Sequence, residues 1–316
     1  MKILRQGASG NQVALMQKLL FKFSNTVLPY AEFEKETLNV VREYQRRRGL
    51  APDGVVGTVT WKHLLTEYYD LNIGIVDHLL PEDEYVREVC LKSSIFLHHT
   101  AGSFRPDYTI DGWKTKSKSG PLRVGTAFVI GADSRHEHQF DGVTHRAFNE
   151  KYWGHHLGLN DPMNRKLNSE SIAIELCSFG ALIKKNGKYI PVAYPDKNIE
   201  IPEEEVCHLD VAWRGYTHFH RYTEKQLAEC KRLVLILSTL FDITLPDHQY
   251  DRSWFDTSMA ALYGVSGLWT HAQVRRDKTD CFPQPELIHM LNTLHREQQA
   301  LAPDSPLISN ILQVIK

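Results

Sequence analysis

The chain has 316 residues, 42% of them hydrophobic, with 37 Lys and Arg against 38 Asp and Glu and a formal net charge of -1. That length suffices for two compact domains and that apolar fraction for a sizeable core. The even charge balance gives no support to a nucleic-acid partner, which normally leaves a basic excess.

The five cysteines (Cys90, Cys177, Cys207, Cys230 and Cys281) are odd in number, scattered, and form no CxxC pair. No disulfide framework is expected, which points to synthesis in a reducing compartment. The N-terminal MKILRQGASGNQ has neither an apolar h-region nor a small-residue cleavage site, and no stretch is long enough to span a bilayer. A cytoplasmic product without signal peptide or membrane insertion, and a monomer, is the expectation. A substrate outside the membrane would then require release or export.

Three helical patterns open the chain. Val13, Met16 and Leu20 recur at helical spacing, widened by Leu15 and Leu19; Thr37, Val40, Val41 and Tyr44 follow, then Trp61, Leu64, Leu65 and Tyr68. Gly7 and Gly10 precede the first helix, while Asp53-Gly54 and Gly57 separate the second from the third, with Thr58 placed as a cap. A three-helix unit of this size is marginal on its core alone. The acidic run Pro81-Glu82-Asp83-Glu84 lies in a connector and reads as a solvated face.

LRQGASGNQVALMQKLL and VREYQRRRGLAPDGVVGTVTWKHLL resemble the peptidoglycan-binding domain 1 family. Leu4, Gly7, Gly10, Val13, Leu15, Gln17 and Leu19 match, as do Tyr44, Gln45, Gly49, Leu50, Asp53, Gly54, Gly57, Thr60 and Trp61. SNTVLPYAEFEKE departs from the family by lacking the first Asp-Gly turn. The resemblance implies peptidoglycan as a partner.

Next comes SSIFLHHTAG, in which Ser94 to His99 alternates as a strand, with Ile95 and Leu97 on one face and Phe96 and His98 on the other. Adjacent strand residues point opposite ways, so only one of His98 and His99 can reach a given metal ion. NSESIAIELCS is a second strand, carrying Glu175 on the face opposite Ile172 and Ile174. TEKQLAECKRLVLILSTLFDI reads as an amphipathic helix capped by Thr223 and covering a sheet. WTHAQVRRDKTDCF then joins His271 by a short loop to Asp280 and Cys281. Two histidines and a carboxylate would leave the fourth tetrahedral position of a zinc ion to water. With 16 histidines, including His136/His138, His155/His156 and His218/His220, composition alone does not select the ligands.

LHHTA, SIAIEL and the terminal His…Lys-Thr-Asp element resemble the type 2 N-acetylmuramoyl-L-alanine amidases, which include phage lysozyme-like amidases and peptidoglycan-recognition proteins. The resemblance implies a zinc ion held by His98, His271 and Asp280. Cys281 is a chemical rival that the Lys-Thr-Asp register disfavours. It implies Glu175 as general base and Lys278 as the cation stabilising the oxyanion. A family tyrosine near the zinc is replaced by Thr126 in VGTAFVI, which makes Thr126 a candidate substrate contact, and YWGHHLG brings His156, or its neighbour His155, to the substrate cleft.

The expected architecture is an α/β amidase domain, a mixed central sheet with helices on both faces, preceded by a small three-helix peptidoglycan-binding domain. Its bounds are 1–70 for the binding domain, 71–90 for a linker, 91–300 for the amidase domain and 301–316 for a tail. The implied reaction cuts the amide between N-acetylmuramic acid and L-alanine, in a phage endolysin or, second, an exported antibacterial effector. Two other classes compete. A recognition protein that binds without cutting would lack a zinc ligand, yet Asp280 is present. A zinc D-Ala-D-Ala peptidase would end in a Glu-x-x-His-type element, which is not found.

Overall fold

The computed structural model describes residues 2–24, 26, 28–29, 31–68, 75–114, 116–117, 120–134 and 138–300. The expected tail 301–316, part of the expected linker (71–74) and His136 lie outside the described residues. The chain divides into two compact units, one of Met1–Ile73, Leu235–Asp242 and Leu294–Lys316, the other of Gly74–Val234 and Ile243–Thr293. Among the described residues no helix is long and apolar enough to cross a membrane, and all five cysteines are free.

The first unit contains helices α1 (Asn11–Ser24), α2 (Lys35–Arg47) and α3 (Thr58–Tyr68). Its core takes the residues that the helical spacing selects, including Val13, Met16, Leu20, Val41, Tyr44, Trp61 and Leu65. Two buried glutamines organise its loops. The Gln45 amide donates to Asp53, Val55 and Thr60 and accepts from the Gly54 N–H. Gln17 does the same one helix earlier, donating to Pro29, Glu32 and Thr37 and accepting from the Ala31 N–H. Ala31 (φ 59°) thus stands where the second loop has Gly54 (φ 77°), so the left-handed turn persists without its Asp-Gly pair. Ile236 and Leu240 share this core. The helix Glu224–Phe241 was expected only to cover a sheet, but its last turns count with the N-terminal unit.

The second unit is built on a six-stranded mixed sheet. Its strands are β1 (Val76–Asp77), β2 (Ser94–His99), β3 (Phe128–Ile130), β4 (Thr144–Arg146), β5 (Ser171–Leu176) and β10 (Gly267–Thr270), in the order β1-β4-β3-β5-β2-β10. Strands β3, β5, β2 and β10 run parallel, and β3 pairs antiparallel with β4. Parallel central strands are covered on both faces and read as apolar runs; β2 is buried at every position. Their carboxyl ends lie along one edge, where open α/β sheets place their chemistry. The Lys92 ammonium, at the foot of β2, donates to the carbonyls of Tyr152 (2.9 Å) and Ser169 (2.7 Å) and ties the preceding loop to the sheet.

A second sheet occupies residues 181–220: β6 (Ala181–Lys185), β7 (Lys188–Pro191), β8 (Val206–Trp213) and β9 (Tyr216–His220), antiparallel in the order β8-β9-β6-β7. The helix Glu224–Phe241 follows, and the Thr223 hydroxyl caps it by accepting from the Gln226 N–H at 3.1 Å.

Candidate metal centre and active site

Register places the first two site residues. His98 on β2 is paired with Glu175 on β5, and directly opposed residues of neighbouring strands project to the same face. Thr270, the last residue of β10, pairs with Leu97, so His271 begins the following turn beside His98. The loop from His271 folds back through an Ala272 N–H to Asp280 carbonyl bond of 2.7 Å and delivers the Asp280 carboxylate between the two rings. Asp280 Oδ2 lies 3.1 Å from His98 Nδ1 and 2.9 Å from His271 Nδ1. His98, His271 and Asp280 offer ligand atoms within 4.8 Å of one another, the one such His, Cys, Asp or Glu group among the described residues.

The protonation of the two rings follows from their outer partners. His271 Nε2 faces the Leu157 carbonyl at 2.9 Å and must donate to it, which leaves Nδ1 bare in the neutral ring. For His98 the answer runs through two more residues. The Ser171 hydroxyl spends its proton on the Leu167 carbonyl at 2.6 Å, so it can only accept from His156 Nε2 at 2.9 Å. His156 Nδ1 is then the acceptor for His98 Nε2 at 3.0 Å, and His98 Nδ1 is bare as well. Burial holds His98 neutral, down to about 4, and pushes His156 well below the ordinary imidazole value, with the neighbouring His98 and His271 rings adding to the effect.

Two imidazole lone pairs and a carboxylate oxygen therefore converge with no proton between them, an arrangement that a divalent cation would relieve. Nitrogen donors beside one carboxylate suit zinc, whose ligand atoms at about 2.0–2.2 Å stand about 3.3 Å apart in a tetrahedron. Calcium and magnesium, which prefer oxygen cages, suit it less. The residues present fit a zinc ion.

Glu175 stands over this cluster from the next strand. Burial, then the charge of Asp280, raises its carboxyl well above the ordinary value, while Lys278 opposes the shift. Its Oε2 is enclosed and has no hydrogen-bond partner among the described residues. Lys278 is half-buried in the loop before Asp280, close enough for its charge to act on both His98 and Glu175.

The other candidates fall outside the cluster. His99 points away from His98; its Nδ1 meets the Tyr222 hydroxyl at 2.8 Å and its ring abuts Gly180, where a Cβ would lie 2.6 Å from Nε2. Cys281 shares a hydrogen bond with Tyr222, burial pushes its thiol well up, and its sulfur is not part of the clustered ligand set that Asp280 joins. His155 packs against Trp153. His220 Nδ1 accepts from the Phe179 N–H, and His218 packs on Tyr189 and His208. Thr126 is 1% exposed and donates its hydroxyl to the Phe128 carbonyl at 3.0 Å, and it lines a small cavity together with Trp153, Gly154 and His156. Both ring nitrogens of His156 are taken, by His98 and Ser171.

The profile of the N-acetylmuramoyl-L-alanine amidase family matches residues 92–285, more than half of the chain. The chain belongs to that family. The match encloses every residue of this amidase-family site, from His98 to Asp280, and the 181–220 sheet as well. Residues 9–64 match the family of putative peptidoglycan binding domains. N-acetylmuramoyl-L-alanine amidase CwlL of Bacillus licheniformis is 38% identical over 65 residues, which are 20% of this chain and 18% of that protein. The chain thus matches under a fifth of that relative's length. Among solved structures, PlyL covers 72% of this chain and 96% of its own, at 11% identity and a TM-score of 0.35. Staphylococcus aureus hydrolase AmiA in complex with its ligand covers 75% and 93%, at 11% identity and a TM-score of 0.40.

Proposed function

We propose that this protein is a zinc-dependent peptidoglycan hydrolase that cuts the amide between N-acetylmuramic acid and L-alanine, in a wall-lytic role. The observation that carries the proposal is the convergence of His98, His271 and Asp280, both rings with bare Nδ1 atoms, beneath the unpaired Oε2 of Glu175. The family match and the N-terminal peptidoglycan-binding match support the substrate.

His98, His271 and Asp280 would hold the ion. A zinc ion there supplies a lowered pKa for the attacking water and polarisation of the scissile carbonyl. Glu175 accepts the proton of that water and returns it to the leaving amine, a task suited to a carboxyl whose pKa burial raises above the ordinary value. Lys278 contributes a positive charge near the developing oxyanion. The N-terminal unit keeps the enzyme on its insoluble substrate by raising the local concentration of wall.

Mass spectrometry of digested peptidoglycan tests the reaction. Free stem peptides that begin with L-alanine are expected, and a chelator should abolish them. Loss of terminal D-alanine instead would identify a carboxypeptidase, and an unchanged profile a binding protein.

His156 acts here as a positioning residue. His156→Phe fills the same space without the two nitrogens and should weaken zinc binding about 10–100-fold, the usual loss when an outer hydrogen-bond partner of a ligand is removed. Equal zinc affinity in the two proteins by competition with a chromophoric chelator would remove His156 from the assembly.

A further inference from the structure

We infer that Arg214 is a positioning residue whose guanidinium fixes the loop that carries Asp280, so that the 181–220 sheet serves as a brace for the metal centre. The inference rests on the zinc reading of that centre, and concerns how its third ligand is held in place.

Trp213 and Tyr216 are paired across the β8–β9 hairpin, so Arg214 and Gly215 form a two-residue turn. Both have left-handed backbones, with φ 49° and 87°. Such primed turns normally take Asn, Asp or Gly, and an arginine in the first position bears the steric cost of its Cβ. The side chain gives a reason for its presence. Arg214 Nη2 donates to the Ala272 carbonyl at 2.7 Å, while Nη1 is shared among the carbonyls of Arg275 (2.8 Å), Arg276 (2.5 Å) and Lys278 (2.8 Å).

These four carbonyls bracket the segment between the two ligands, His271 and Asp280. They converge at the end of the short helix His271–Val274, where helix geometry leaves backbone acceptors over, although the Arg275 carbonyl also accepts from the Lys278 N–H at 3.2 Å. A planar fork of five N–H donors suits this set, whereas an ammonium cannot span it. The hairpin is itself secured. Arg252 donates to the carbonyls of Val211 (2.9 Å) and Ala212 (2.5 Å), and Trp213 is buried with its ring 5.0 Å from the Arg214 guanidinium. Among the described residues, the other side-chain hydrogen bond from the 275–278 segment to a second element is that of Arg275, which reaches the Gly158 carbonyl at 3.1 Å.

The test uses the full-length chain with Arg214→Asn, which suits the turn better but has no guanidinium, and Arg214→Lys, which keeps the charge. Hydrogen exchange of backbone amides and zinc affinity by chelator competition are read together, with thermal melting as a check on folding. Both variants should show exchange raised tenfold or more across 275–280 with β2 and β5 unchanged, and zinc affinity lowered about 10–100-fold. Millimolar methylguanidinium should restore part of the affinity of Arg214→Asn. Wild-type zinc affinity in either folded variant, or faster exchange spread evenly over the unit, overturns the inference. Should Arg214→Asn fail to fold, Arg214→Lys decides by the same readouts. A wild-type protein that binds no zinc would sink the metal reading instead, and the exchange of 275–280 would then decide the brace alone.

Discussion

Asp280→Ala should give a folded protein that has lost its zinc and its amidase activity together. The carboxylate is the one charged donor of the cluster, and both histidines aim Nδ1 at its Oδ2. Without it, two neutral rings remain, and their outer hydrogen bonds to Leu157 and His156 still hold them in place but supply no charge to balance a dication. The loss in zinc affinity should exceed the roughly 10–100-fold typical of an outer partner. Dialysis followed by elemental analysis reads the metal, and release of stem peptides reads the activity. A zinc-replete Asp280→Ala protein with full turnover would rule out the ligand assignment.

Glu175→Gln separates the chemistry from the metal. The amide has nearly the shape of the carboxyl and leaves His98, His271 and Asp280 untouched, so zinc should stay bound. It cannot take up a proton from water, and kcat should fall about 10²–10⁴-fold, the usual contribution of a positioned general base, while KM changes little. Equal loss in zinc content and rate would instead make Glu175 a structural support, and an unaltered kcat would end its role as base.

The two substitutions also mark how far a linear reading reaches. The alternation of Ser94 to His99 places His98 and His99 on opposite faces, and in the structure His98 joins the cluster while His99 meets Tyr222. His271 and Asp280 are nine positions apart and meet through one local loop, so their proximity is also a short-range fact. The resemblance marked His156 as a cleft residue and not as a hydrogen-bond partner of His98. Its task depends on the face where Phe96 and His98 lie beside Ala173 and Glu175, with Ser171 lower on the same strand. Small residues at 171 and 173 leave room above the sheet for an imidazole, a signal that emerges once the two strands are paired. Thr126 was weighed against a tyrosine by position, and its local bond to the Phe128 carbonyl was not visible in that comparison.

Longer-range features were less legible. Nothing in the spacing of Arg214 connects it to carbonyls around sixty residues later, and an arginine ahead of a glycine at a hairpin tip does not advertise a left-handed backbone. The helix Glu224–Phe241 has one continuous amphipathic pattern, and the change of partners near Leu235 leaves no mark in its period.

The paired glutamines of the N-terminal unit carry a consequence of their own. Gln17 and Gln45 each clasp one loop through a neutral amide, with every contact made to backbone or to a side chain at hydrogen-bond range. An amide neither gains nor loses a proton over the biological range and is indifferent to ionic screening. The Gln17 clasp, whose partners are all uncharged, should therefore hold its loop in acid and in brine alike, whereas the Gln45 clasp also rests on the Asp53 carboxylate.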